Sequence, residues 1–164
     1  MTREARPGNG AGLIMSEKNA TEKHDYYIQS IMEDWQSFTE FVFSDSYCEF
    51  DFSNAKAKME APIYPRVYDR KYVSIKGYID IFVSGVRAKI KDRHDDDCPY
   101  RNIDYCIEVK SFIKSITETM RQINTHRTYM PSFVPYVVAS PDNRYKDIFS
   151  SQDVIYIELE PKDF

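Results

Sequence analysis

The sequence predicts a single α/β domain in which a mixed central sheet is flanked by helices. Three observations carry that assignment. There is a helical stripe near the N-terminus, a pair of strand-like apolar runs, and a capped helix followed by two more short runs. With 164 residues the chain suits one domain and is too short for two that each bury a core.

Ile28, Ile31, Trp35, Phe38 and Val42 recur at steps of three and four, the stripe of one helix with a buried face. Glu33 and Glu40 lie away from that stripe and are expected to be solvated. Order is expected from about Thr21. Residues 1–20, with Arg3, Arg6, Gly8, Gly10 and Gly12, read as a flexible leader, leaving 21–164 as the domain. Ser44 to Lys58 is polar and reads as a connection. Ala61 to Pro65 and Arg66 to Ser74 read as an extended region whose prolines place its start at a sheet edge or outside the sheet.

Gly77 to Val83 alternates as a strand, with Tyr78, Asp80 and Phe82 on one face and Ile79, Ile81 and Val83 on the other. A second strand is expected at Tyr105 to Lys110. Between them, Lys91 to Arg101 contains His94 and the run Asp95 to Asp97. Consecutive carboxylates do not converge on one ion, so this stretch reads as a solvated hairpin tip. Ser115 and Glu118 have capping-box spacing, which predicts a helix from Ile116 to Tyr129, stopped by Pro131, with Ile116, Met120 and Ile123 as its apolar face. Gln122, His126 and Tyr129 form a polar stripe beside that face. Arg121 is expected to be solvated. Tyr136 to Ala139 and Val154 to Ile157 read as strands, with a turn at Ser140 to Asn143.

Composition narrows the function classes. Thirteen Tyr and ten Phe against five Gly exclude a low-complexity or disordered chain. A net charge of −4 argues against indiscriminate coating of nucleic acid and still permits local contact through a metal ion. Cys48, Cys98 and Cys106 form no C-x-x-C pair, so reduced thiols in a cytoplasmic protein are expected. No apolar run approaches the roughly 18 residues of a membrane span.

One constellation carries chemistry. Glu108 and Lys110, two apart on a strand, leave the same face, and Asp80 comes close to Glu108 if the two strands pair. Paired carboxylates call for a cation, and hard oxygen donors suit Mg²⁺ or Mn²⁺. A lysine beside that ion can orient water and stabilise charge on a phosphate. The triplet acid-x-Lys is weak by itself, since a chain of this composition holds roughly two by chance. This one holds three, at Asp69, Glu108 and Glu160, and only that at Glu108 sits in an apolar strand with an upstream strand aspartate.

Gly77-Tyr78-Ile79-Asp80, then Ile107-Glu108-Val109-Lys110, then a helix bearing Arg121-Gln122-Ile123 resemble the PD-(D/E)XK nuclease superfamily, from about Glu60 to the C-terminus. The resemblance implies a restriction-endonuclease-like αβββαβ core and metal-dependent cleavage of nucleic acid, DNA ahead of RNA. It implies Asp80 and Glu108 as ligands of Mg²⁺ or Mn²⁺, the main-chain carbonyl of Val109 as a further ligand, and Lys110 as the catalytic lysine. Gln122 is placed to steady Lys110 or to bond a phosphate. Ile79 stands where the family often has proline, and His126 stands four residues after Gln122, where some branches carry tyrosine. Some related enzymes take a glutamate from the first helix. The wheel positions of Glu33 and Glu40 argue against both. The alternative from another class is a catalytically inactive module on the same fold that binds nucleic acid or a protein. So short a chain leaves no room for a separate recognition domain, so targeting would come from a partner protein or a homodimer.

Overall fold

The computed structural model describes residues 17–64, 75–91 and 100–163. Two helices, α1 (Glu17–Glu33) and α2 (Trp35–Phe43), precede four strands: β1 (Tyr47–Asp51), β2 (Lys56–Ile63), β3 (Gly77–Ile90) and β4 (Arg101–Val109). Helix α3 (Ile116–Tyr129), strand β5 (Tyr136–Ser140), a 3₁₀ turn (Asn143–Tyr145), α4 (Lys146–Ser151) and β6 (Ile155–Glu158) complete the order. The sheet is mixed. Strands β1, β2 and β4 run antiparallel to β3, whereas β5 runs parallel to β4 and β6 to β5.

The fourteen residues of β3 make it the spine of the sheet. One edge is shared end to end, with β2 along Gly77–Ser84 and β1 along Arg87–Ile90, while β4 takes the other edge. Ile81, Val83, Ile107 and Val109 face α1 and α2 in one core with Tyr27, Ile31 and Phe43. Cys106, Val138 and Tyr136 face α3 and α4 in a second core with Ile123 and Phe149. Each face of the sheet is thus covered by helices, as the alternating runs predict.

Several expectations need correction. The stripe from Ile28 to Val42 is two helices. Asp34 leaves helical geometry at φ −137° and ψ 47° and makes no side-chain cap. Aspartate is a weak helix former, and the break lets Tyr27 and Ile31 on one segment and Thr39 and Phe43 on the next all reach the interior. Residues 17–20, expected in the leader, are the first turn of α1; the rest of that stretch lies outside the described residues. The polar connection Ser44 to Lys58 contains β1 and the start of β2. Their Lys and Glu side chains face solvent, which hides strand alternation.

Strand β3 also continues beyond Val83. A bulge between Val83 and Val86 absorbs Ser84-Gly85, and Gly85 at φ +77° donates its amide to Asp104 Oδ1 at 2.8 Å. The His94 and Asp95–Asp97 stretch, Cys98 and the Arg66–Ser74 segment fall outside the described residues.

Helix α3 has the expected bounds, and Ser115 Oγ accepts the Glu118 amide at 3.2 Å. The reciprocal half of the capping box is not made, because the Glu118 carboxylate pairs with Arg121 at 2.6 Å. Its buried seam is Thr119, Ile123 and His126. At 100° per residue this seam is turned by about 60° from the expected Ile116/Met120/Ile123 face, toward Gln122.

Candidate active site

The site lies where two strands part. Pairing of β3 with β4 ends at Ile81 and Ile107. Toward its N-terminus β3 is held by β2, through Ile79–Ala61 and Gly77–Ile63, while Glu108 and Val109 pair with Val138 and Ala139 of β5. One further step of the register sets Asp80 opposite Glu108. With β3 diverging, the Val109 amide donates to the Asp80 side chain, N to Oδ2 2.8 Å, in place of a main-chain carbonyl. The fork therefore holds the Asp80 carboxylate against the main chain between Glu108 and Lys110.

Glu108 is 2% exposed. Its Oε1 accepts from Lys110 Nζ and from Gln122 Nε2, both at 2.7 Å, and Gln122 Oε1 accepts from the same ammonium at 3.1 Å. Its Oε2 is buried and has no hydrogen-bond partner. Burial, and then the negative charge of Asp80, push the Glu108 carboxyl above its usual range, against the pull of Lys110. An unpartnered buried carboxylate oxygen costs at least about 1–3 kcal/mol, so a water or an ion is called for at that atom. The ammonium has three protons and spends two on Glu108 and Gln122, so the third is left to point at whatever enters the cleft.

Two histidines border the group. His24 of α1 reaches Asp80, Nε2 to Oδ2 3.4 Å, and that contact is the main cause raising its pKa. Sequence reasoning missed His24, although it lies four residues before Ile28 and therefore on the stripe that faces the sheet. His126 is buried, with Nδ1 2.8 Å from the Tyr136 hydroxyl. Burial lowers its pKa, and its ring packs where a Cβ on Gly77 would stand 3.2 Å from Nε2. His126 is thus a core residue.

The structure brings Asp80, Glu108, Lys110, Gln122 and the main chain of Val109 together. The Arg121 side chain is 74% exposed, pairs with Glu118 and borders the same trough as Gln122, and Glu33 and Glu40 are exposed. Among the described residues no three His, Cys, Asp or Glu side chains form a ready-made metal cage, and the carboxylates the site offers are Asp80 and Glu108. They fit the expected ion in one specific way: Glu108 Oε2 is a free, buried, hard oxygen donor beside a second carboxylate. Comparison of the chain with family models, with curated proteins and with solved structures finds no match.

Proposed function

We propose that this protein is a metal-dependent nuclease with a restriction-endonuclease-like core, hydrolysing phosphodiester bonds of nucleic acid, DNA ahead of RNA. The observation that carries the reading is the unpartnered Oε2 of buried Glu108, set across a strand fork from Asp80 with Lys110 tethered alongside. The order of helix, antiparallel strands, helix and parallel strand supports it.

Asp80, Glu108 and the Val109 carbonyl would hold Mg²⁺ or Mn²⁺, whose positive charge would make water a better nucleophile and offset charge on the phosphate. Lys110 does the remaining polar work. Glu108 and Gln122 fix its ammonium, so its free proton can orient the attacking water and then meet the negative charge that builds on the phosphoryl oxygens. Gln122 bonds both partners, and so sets the distance between the carboxylate and the ammonium.

The test is cleavage of labelled single-stranded, duplex and branched DNA and RNA with Mg²⁺ or Mn²⁺, and with EDTA. Cleavage should require the metal and fall by about a hundredfold or more in Lys110→Ala. Wild-type protein that binds the ion and cuts none of these substrates would overturn the reading in favour of a binding module.

A further inference from the structure

The polar stripe on α3 leads away from the site. Gln122, His126 and Tyr129 lie along one side of the helix. Beside the first two is a trough of about 390 Å³ lined by Lys76, Glu118, Arg121, Gln122, Thr125 and His126. Beyond Tyr129 opens a second cavity of about 240 Å³, lined by Pro62, Tyr64, Phe82, Asp104, Tyr129 and Phe133. Lys76 also reaches toward the second cavity: its ammonium stands 6.0 Å from the centre of the Tyr129 ring.

That cavity has an unusual wall. Phe133 is 79% exposed and Tyr64 53%, so two large rings stand in water at its rim. Its carboxylate, Asp104, lies on the same face of β4 as Glu108 and accepts the Gly85 amide through Oδ1. Ring faces bind any nucleobase by stacking, and a carboxylate accepts from the amino group of cytosine. Tyr129 is seven residues beyond Gln122, about 10 Å along the helix, and Asp104 is four residues before Glu108, about 13 Å along the strand. The cavity therefore lies about 10–13 Å, a few nucleotides of a single strand, from the candidate scissile position.

We propose that the cavity under Phe133 takes one unpaired nucleobase, preferably one bearing an amino group, and that the substrate is a single strand led past Lys76 to Glu108 and Lys110. A duplex cannot supply this contact, because its bases are paired and stacked on each other. The inference rests on the nuclease reading for its choice of ligand, and its test does not use cleavage.

Binding of fluorescent oligo-dC, oligo-dT and a blunt duplex is measured by anisotropy in EDTA, at one fixed salt concentration. Wild-type protein should bind single strands more tightly than duplex, and dC more tightly than dT. Phe133→Ala, and Tyr64→Ala as a second rim variant, should each weaken single-strand binding about tenfold with the melting temperature unchanged. Asp104→Asn keeps an acceptor for Gly85 and should lose the preference for dC. Equal affinity for single strand and duplex, or binding unchanged in both rim variants, would overturn the proposal. Cleavage could still be present in that case. Conversely, selective single-strand binding by a protein that cuts nothing would sustain the pocket and defeat the nuclease reading.

Discussion

At Gln122 one side-chain amide fastens two charges, donating to Glu108 Oε1 and accepting from Lys110. Removing it should loosen the ammonium without opening the core, since Gln122 is only partly buried. Gln122→Ala is expected to lower cleavage by about tenfold to a hundredfold with little change in melting temperature. Arg121→Ala, which removes an exposed guanidinium paired with Glu118, should leave the melting temperature unchanged and lower cleavage less than Gln122→Ala; steady-state kinetics with calorimetric melting compares the two. These side chains were legible in the sequence because strand alternation and helix period fix direction, once Ser115 sets the start of α3. His24 was legible too, four residues before Ile28, and went unread. The unpartnered oxygen of Glu108 was not legible, because it depends on how Gln122 and Lys110 share the other oxygen.

Elements aim these residues, and small irregularities do the aiming. The bulge at Gly85 lets β3 and β4 pair on both sides of Val83–Val86. A Cβ at Gly85 would stand 2.5 Å from the Asn54 carbonyl oxygen, at a backbone φ of +77° that side chains rarely adopt. Gly85→Ala should therefore destabilise by about 2–3 kcal/mol in denaturant melts.

The connection from β4 to α3 has its own clamp. Asp142 accepts the Ile113 amide at 3.0 Å, and Arg144, paired with Asp142 at 2.7 Å, donates to the Ile113 carbonyl at 3.0 Å. The Arg144 guanidinium is the chief cause holding the Asp142 carboxyl below its usual range. A depressed carboxylate stabilises the fold fully above its unfolded pKa, about 3.9, and the gain disappears as pH falls through the lower folded value. Asp142→Asn should cost about 1–2 kcal/mol near pH 7, discounted for the half-exposed guanidinium, and the gap from wild type should close on acidification below about pH 4. Urea melts across that range measure it. Strands β3, β4, β5 and β6 were readable from apolar runs. Strand β1, most of β2 and α4 were not, since charged edge strands and a six-residue helix carry little periodicity.

At the scale of the whole molecule, two separate cores cover the two faces of one sheet, and the site opens where its central strands diverge. Residues from α1, β3, β4 and α3 meet there, so a fold that keeps those four elements in place also keeps His24, Asp80, Glu108 and Gln122 in place. The C-terminal segment ties down the first of them: the Tyr27 hydroxyl donates to the Glu160 carbonyl and accepts the Lys162 amide. Among the described residues no helix is long and apolar enough to cross a membrane. A ligand that binds only the folded chain raises its melting temperature, so Mn²⁺ should do so in wild type and not in Glu108→Gln.

The most direct measurement is a calorimetric titration of Mn²⁺ into wild type, Asp80→Asn, Glu108→Gln and Lys110→Ala. The site predicts saturable binding in wild type, its loss in both carboxylate variants, and its retention in Lys110→Ala, which removes an ammonium and no ligand. Equal Mn²⁺ binding by wild type and both carboxylate variants would contradict the assignment of Asp80 and Glu108 as a metal site.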